Sequence, residues 1–130
     1  MDLKHFLLAA VGGAIGSALR YSVGVVMLRL AGPGGWPWGT YTVNLVGSLL
    51  MGLIIGWFAH RAGQHTAGTQ IFLATGILGG FTTFSAFSLE TARMVETRAY
   101  THALLYAGSS VILGIAMVFA GLLIMRKVLM

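Results

Sequence analysis

Four apolar stretches, at about residues 6–30, 41–59, 71–89 and 103–125, account for most of this 130-residue chain. A bilayer core of about 30 Å needs roughly 20 apolar residues per helix, so each stretch is long enough to cross it. Because lipid offers backbone N–H and C=O groups no partners, each crossing must satisfy them internally, which makes the stretches helices. The expected fold is therefore all-α and integral to the membrane, a single four-helix domain over residues 1–130. Composition agrees: 57% of residues are hydrophobic and 8% charged, whereas a soluble domain carries about 25% charged residues. Coiled coils and disordered tails need more charge still, and the absence of cysteine removes disulfide scaffolds and thiolate metal sites. The net charge of +5 comes from basic residues spaced singly along the chain, which suits membrane anchors and not a nucleic-acid surface.

The boundaries between stretches are chemical. AGPGGWPWG (31–39) ends the first, since Pro33, Pro37 and four glycines stop a helix, and Trp36 and Trp38 are rings suited to the headgroup level. RAGQHTAGTQ (61–70) separates the second from the third, and Glu90, Arg93, Glu96 and Arg98 mark a solvent-facing segment before the fourth. Lys4 ahead of an apolar run resembles a signal peptide, but no A-x-A-like cleavage site follows, and the run is read as a mature helix.

With four spans both termini share one side. That side carries Lys4, Arg61, Arg126 and Lys127, and the other carries Arg29, Arg93 and Arg98. Lys/Arg asymmetry normally fixes orientation, and four against three gives almost none, so the chain is expected to insert both ways. Four helices are also too few to enclose a polar pathway and still face lipid. An antiparallel homodimer satisfies both points. Three G-x-x-x-G spacings, Gly12–Gly16, Gly52–Gly56 and Gly76–Gly80, suit close helix approach.

The third stretch holds the most chemistry. Gly79-Gly80 followed by Thr82, Thr83 and Ser85 favours a break, because glycine and threonine support helix poorly and hydroxyls can rebind freed carbonyls. Carbonyls exposed by such a break form a cation site; an intact packing helix is the competing reading. Phe84 and Phe87 stand three apart on one helix face, either as packing or with their positive ring edges toward an anion. Asn44, the sole asparagine, is either helix-to-helix glue or an anion donor. Tyr106 and Ser110, four apart, add hydroxyls that serve a pathway or their own helix. Arg20 is a cation within a span and must snorkel or pair. Glu90 either guards a vestibule or simply solvates a helix end. His60 and His65, five apart, miss the spacing of a helical metal pair, so no transition metal is expected. No catalytic constellation is present, and no enzyme is expected.

GGAIGSALRY (12–21), GTYTVNLVGS (39–48), GILGGFTTFSAFSLE (76–90) and YAGSS (106–110) together resemble the Fluc or CrcB-type bacterial fluoride channels, across all four spans. The resemblance implies a multi-pass protein of the bacterial inner membrane, a dual-topology homodimer with two antiparallel fluoride pathways and a sodium ion at its centre. It implies that Gly79 and Thr82 offer backbone carbonyls to that sodium. By the same resemblance Phe84 and Phe87 form a phenylalanine box, and Asn44, Tyr106 and Ser110 line the pathway. Thr83 and Ser85 lie in its hydroxyl-rich run, Glu90 is a vestibule carboxylate, and Arg20 is the first-helix arginine. Ala86 and Gly114 depart from it, since the family usually has a hydroxyl at the first and some members have serine at the second. The implied activity is passive, selective fluoride export. Two other readings stand beside it: a small dual-topology multidrug or cation exporter, which needs an acid in its first helix where this chain has Arg20, and a non-transporting assembly subunit.

Overall fold

The computed structural model describes residues 1–61, 63 and 67–130 and is helical throughout its long elements. Helix α1 (Leu3–Ala31) starts at Asp2, whose carboxylate accepts from the Lys4 N–H at 2.9 Å. It ends at Gly32, the first of three glycines with positive φ (77° at Gly32, 91° at Gly34, 76° at Gly35) in a loop that only residues without Cβ follow cheaply. Helix α2 (Trp38–His60) follows, with His60 Nδ1 2.8 Å from the Gly56 carbonyl; His65 lies outside the described residues.

The third span is composite. One turn, α3 (Ala67–Gln70), leads into a π-helical segment (Ile71–Leu78) and a short turn, α4 (Gly79–Phe81). Thr82 and Thr83 are then extended, with ψ 158° and ψ 116°, before α5 (Phe84–Glu96) begins under a Thr83 cap. The charged residues Glu90, Arg93 and Glu96 belong to α5 and do not form a loop. A tight turn, in which Arg98 takes φ 62°, leads to α6 (Tyr100–Leu129); the left-handed conformation costs an L residue about 1–2 kcal/mol.

Among the described residues four helical spans, with Ala67–Glu96 taken as one, are long and apolar enough to cross a membrane. They pack as two close pairs, α1 on the π segment and α2 on α6, and glycine sets both distances. A Cβ on Gly12 would come 2.6 Å from the Phe72 carbonyl oxygen and 2.9 Å from the Gly76 Cα, so backbones touch where side chains would otherwise separate them. Gly16 and Gly80 extend that seam, while Gly52 meets the Gly121 Cα and Val118 carbonyl of α6. Two of the G-x-x-x-G spacings thus face each other across one seam, and the third packs on α6. Such approach replaces the hydrophobic drive that lipid cannot supply. Burial is sparse, as expected where lipid is the solvent: Val43 and Tyr106 are the largest fully buried side chains.

Candidate functional site

The centre of the site is a pairing between a side chain and a peptide. Asn44, on the first half of α2, donates from Nδ2 to the Thr83 carbonyl at 3.0 Å and accepts at Oδ1 from the Thr83 N–H at 2.8 Å. The amide satisfies extended backbone as a neighbouring strand would, and its orientation follows from the chemistry, because an N–H must meet the oxygen. One amide N–H of Asn44 is left over.

This pairing alters the carbonyls below it. In a continuous helix the Thr83 N–H would close onto the Gly79 carbonyl and the Ala86 N–H onto that of Thr82. Instead the first goes to Asn44 Oδ1 and the second to Thr83 Oγ1 at 3.2 Å, so both carbonyls lose their ladder donors. Thr82 Oγ1 turns away and donates to the Leu78 carbonyl at 2.9 Å. Thr83 Oγ1 also lies 3.4 Å from Ser85 Oγ, and while Thr83 is buried, Ser85 is exposed.

One turn above, Glu90 accepts two short hydrogen bonds, from Thr40 Oγ1 to Oε1 and from the Tyr106 hydroxyl to Oε2, both 2.6 Å. Tyr106 is fully buried, and its ring lies 5.3 Å from that of Phe87, which lies 5.8 Å from Phe84. The three rings form a chain from the Glu90 cluster to the extended residues. Phe84, at its end, is 77% exposed. Ser110 makes no hydrogen bond with a described residue; its neighbour Ser109 accepts from the Tyr41 hydroxyl at 3.1 Å.

Two openings reach this centre. A cavity of about 630 Å³ extends from the α1–α2 loop to Thr83, with Arg20, Thr40, Glu90 and Arg93 among its lining residues. Arg20 faces this cavity without a salt bridge to a described carboxylate, and the two arginines outnumber the one carboxylate. A second, groove-like opening of about 270 Å³ lies by the extended residues, against Asn44, Ser48, Thr83 and Phe84. Around these two openings lie two arginines, the spare amide N–H of Asn44, the Phe84 ring and one carboxylate that already accepts two hydroxyls, an arrangement able to hold a small anion through several weak contacts.

Sequence reasoning brought out Asn44, Thr83, Phe87, Glu90 and Tyr106 separately, and the structure brings them together. It passed over Thr40, although that residue lies within the GT-x-x-VN segment, and it placed Trp36 at the headgroups. In the loop before α2 its ring packs 5.3 Å from Tyr41 and 5.4 Å from Tyr106 in near-perpendicular contacts. Among the described residues no three His, Cys, Asp or Glu side chains gather as a metal site.

Residues 7–122 match the model of the family described as CrcB-like protein, Camphor Resistance (CrcB). Relatives named fluoride-specific ion channel FluC are similar over nearly the whole chain. The one from Caulobacter sp. (strain K31) is 57% identical, with 97% of this chain and 98% of the relative covered. Those from Caulobacter vibrioides (strain NA1000 / CB15N) and Rhizobium meliloti (strain 1021) are 54% and 47% identical, covering 97% and 95% of this chain and 98% of each relative.

Proposed function

This chain belongs to the CrcB-like family, and from that premise we propose that it is a passive fluoride channel that lets the anion leave the cytoplasm through the inner membrane. It is a channel and not an enzyme. What supports the reading is the set of groups gathered between the cavity and the middle of the third span: Arg20 at the cavity, the Thr40 and Tyr106 hydroxyls held on Glu90, the spare amide N–H of Asn44, and the Phe87 and Phe84 rings. Fluoride enters the cell from an acidic medium as the neutral acid and ionises in the near-neutral cytoplasm. The inside-negative potential, at about 2.3 kcal/mol per charge per 100 mV, then drives it outward without a pump. Giving up tightly held water requires replacement contacts, and several weak ones allow the ion to leave again.

The functional unit is an antiparallel homodimer. A lone chain leaves Phe84, Ser85 and Gly79 exposed halfway along the third span, where lipid would face polar backbone, and a second copy is what can cover them. At the centre of that dimer the released carbonyls of Gly79 and Thr82 suit a monovalent hard cation, since oxygen donors are offered with no carboxylate to balance a higher charge. Sodium fits, and its place there is structural: it would hold the two breaks together.

Purified protein in liposomes is expected to release fluoride down its gradient and retain chloride, read with ion-selective electrodes. A parent that releases both equally, or neither, overturns the reading. Insertion is tested separately. In this cysteine-free chain, a single cysteine added at either terminus is expected to be labelled by impermeant reagents from both sides of the membrane, and labelling from one side only would remove the antiparallel dimer.

A further inference from the structure

Ser48 lies halfway along α2, about one turn beyond Asn44, and lines the groove beside Thr83 and Phe84. Some hydroxyls of the spans close back on the preceding turn, whereas others, Ser110 among them, do not. Ser22 donates to the Ala18 carbonyl at 2.9 Å, Thr82 to Leu78 at 2.9 Å and Thr91 to Phe87 at 2.8 Å. Ser48 makes no such bond, and none with any other described residue. Across from it, halfway along α6, stands Gly114. A Cβ built there would lie 3.7 Å from Ser48 Oγ and meet no other neighbouring group within 4 Å, so the absence of a side chain on α6 leaves the serine hydroxyl facing open space.

An unpaired hydroxyl at mid-membrane is costly unless water or an ion meets it. The groove decides which kind of ion. It offers Asn44, with an amide N–H to spare, and the Phe84 ring, and no carboxylate lines it. From this we infer that Ser48 is a further pathway residue whose hydroxyl donates directly to the permeating anion, supplying from α2 the contact that α6 lacks at Gly114. The inference rests on the fluoride-channel reading and adds a contact that the resemblance did not mark.

The test compares fluoride efflux from liposomes for the parent, Ser48→Ala, Ser48→Ala/Gly114→Ser and Ser48→Ala/Gly114→Ala, each first checked as an intact dimer on a sizing column. Ser48→Ala is expected to slow fluoride about threefold to tenfold, the scale of one hydrogen bond, with chloride still retained. Adding Gly114→Ser should return the rate close to the parent's, because its hydroxyl enters the same space; adding Gly114→Ala should not. A parental rate in Ser48→Ala, rescue by alanine as well as serine, or no rescue by serine each overturns the assignment. Loss of the dimer in Ser48→Ala also overturns it, since the hydroxyl would then bind the second copy. A parent that passes no fluoride removes the channel reading itself, an outcome distinct from a conducting parent with an indifferent Ser48.

Discussion

Asn44→Leu is expected to reduce fluoride flux at least a hundredfold. Leucine has the branching and heavy-atom count of asparagine, in a larger side chain, and none of its hydrogen bonds, so the Thr83 N–H and carbonyl, now paired at 2.8 and 3.0 Å, would both be stranded. Each stranded group costs about 1–3 kcal/mol, and at about 1.4 kcal/mol per factor of ten the pair, about 4 kcal/mol at the middle of that range, corresponds to nearly three orders of magnitude. The chain has a cheaper escape. The Thr83 N–H can return to the Gly79 carbonyl and close the break as helix, which withdraws one of the two carbonyls proposed to hold sodium. The variant should therefore lose flux together with any stabilisation that sodium gives the parent dimer against heat. Asn44→Asp separates anchoring from anion contact: it keeps an acceptor for the N–H but sets a carboxylate against the Thr83 carbonyl and the passing anion, and should be as inactive as the leucine variant. Parental flux in Asn44→Leu would mean that the extended backbone needs no anchor and that the amide plays no part in the pathway.

What the sequence made legible, and what it hid, follows from the range of the interactions. Apolar length and Pro/Gly punctuation are local, and they sufficed for four membrane-crossing helices. The G-x-x-x-G spacings announced close approach but not the partner, because the facing of Gly12 and Gly16 against Gly76 and Gly80 depends on which helices meet. The π-helical winding of Ile71–Leu78 left no mark in the apolar pattern; it lies along this seam, where the third span must follow the α1 backbone at glycine distance. Asn44 and Thr83 are 39 residues apart, so each was notable by type while their pairing was invisible. Glu90 was left between a vestibule and a solvated helix end, because its two partners come from α2 and α6, and Thr40 among them carried no pattern of its own. Trp36 was placed by the general habit of tryptophan at headgroups, a habit that gave no hint of its ring contacts with Tyr41 and Tyr106.

Phe84→Ile and Phe87→Ile are each expected to lower fluoride flux more than tenfold, and the double variant more than a hundredfold, with the dimer intact on a sizing column. Isoleucine keeps the side chain apolar and bulky but removes the ring edge, the one feature by which an aromatic group attracts an anion. The two positions differ in their neighbours. Phe87 touches both Phe84 and Tyr106, at 5.8 and 5.3 Å, and so also steadies the hydroxyl that binds Glu90, whereas Phe84 is 77% exposed and its described ring contact is Phe87 alone. Packing within one chain therefore predicts a large defect for Phe87→Ile and almost none for Phe84→Ile, and packing on the second copy predicts a fall in dimer stability for Phe84→Ile. A lining role predicts comparable loss of flux at both and little change in stability, because a permeating ion must pass each ring whatever else that ring supports. Parental flux in both isoleucine variants would make the rings filler and move the route elsewhere. Equal loss of flux at the half-buried and the exposed ring, with the dimer as heat-stable as the parent's, is the outcome that packing cannot produce, since packing of Phe84 on the second copy would show as a weaker dimer.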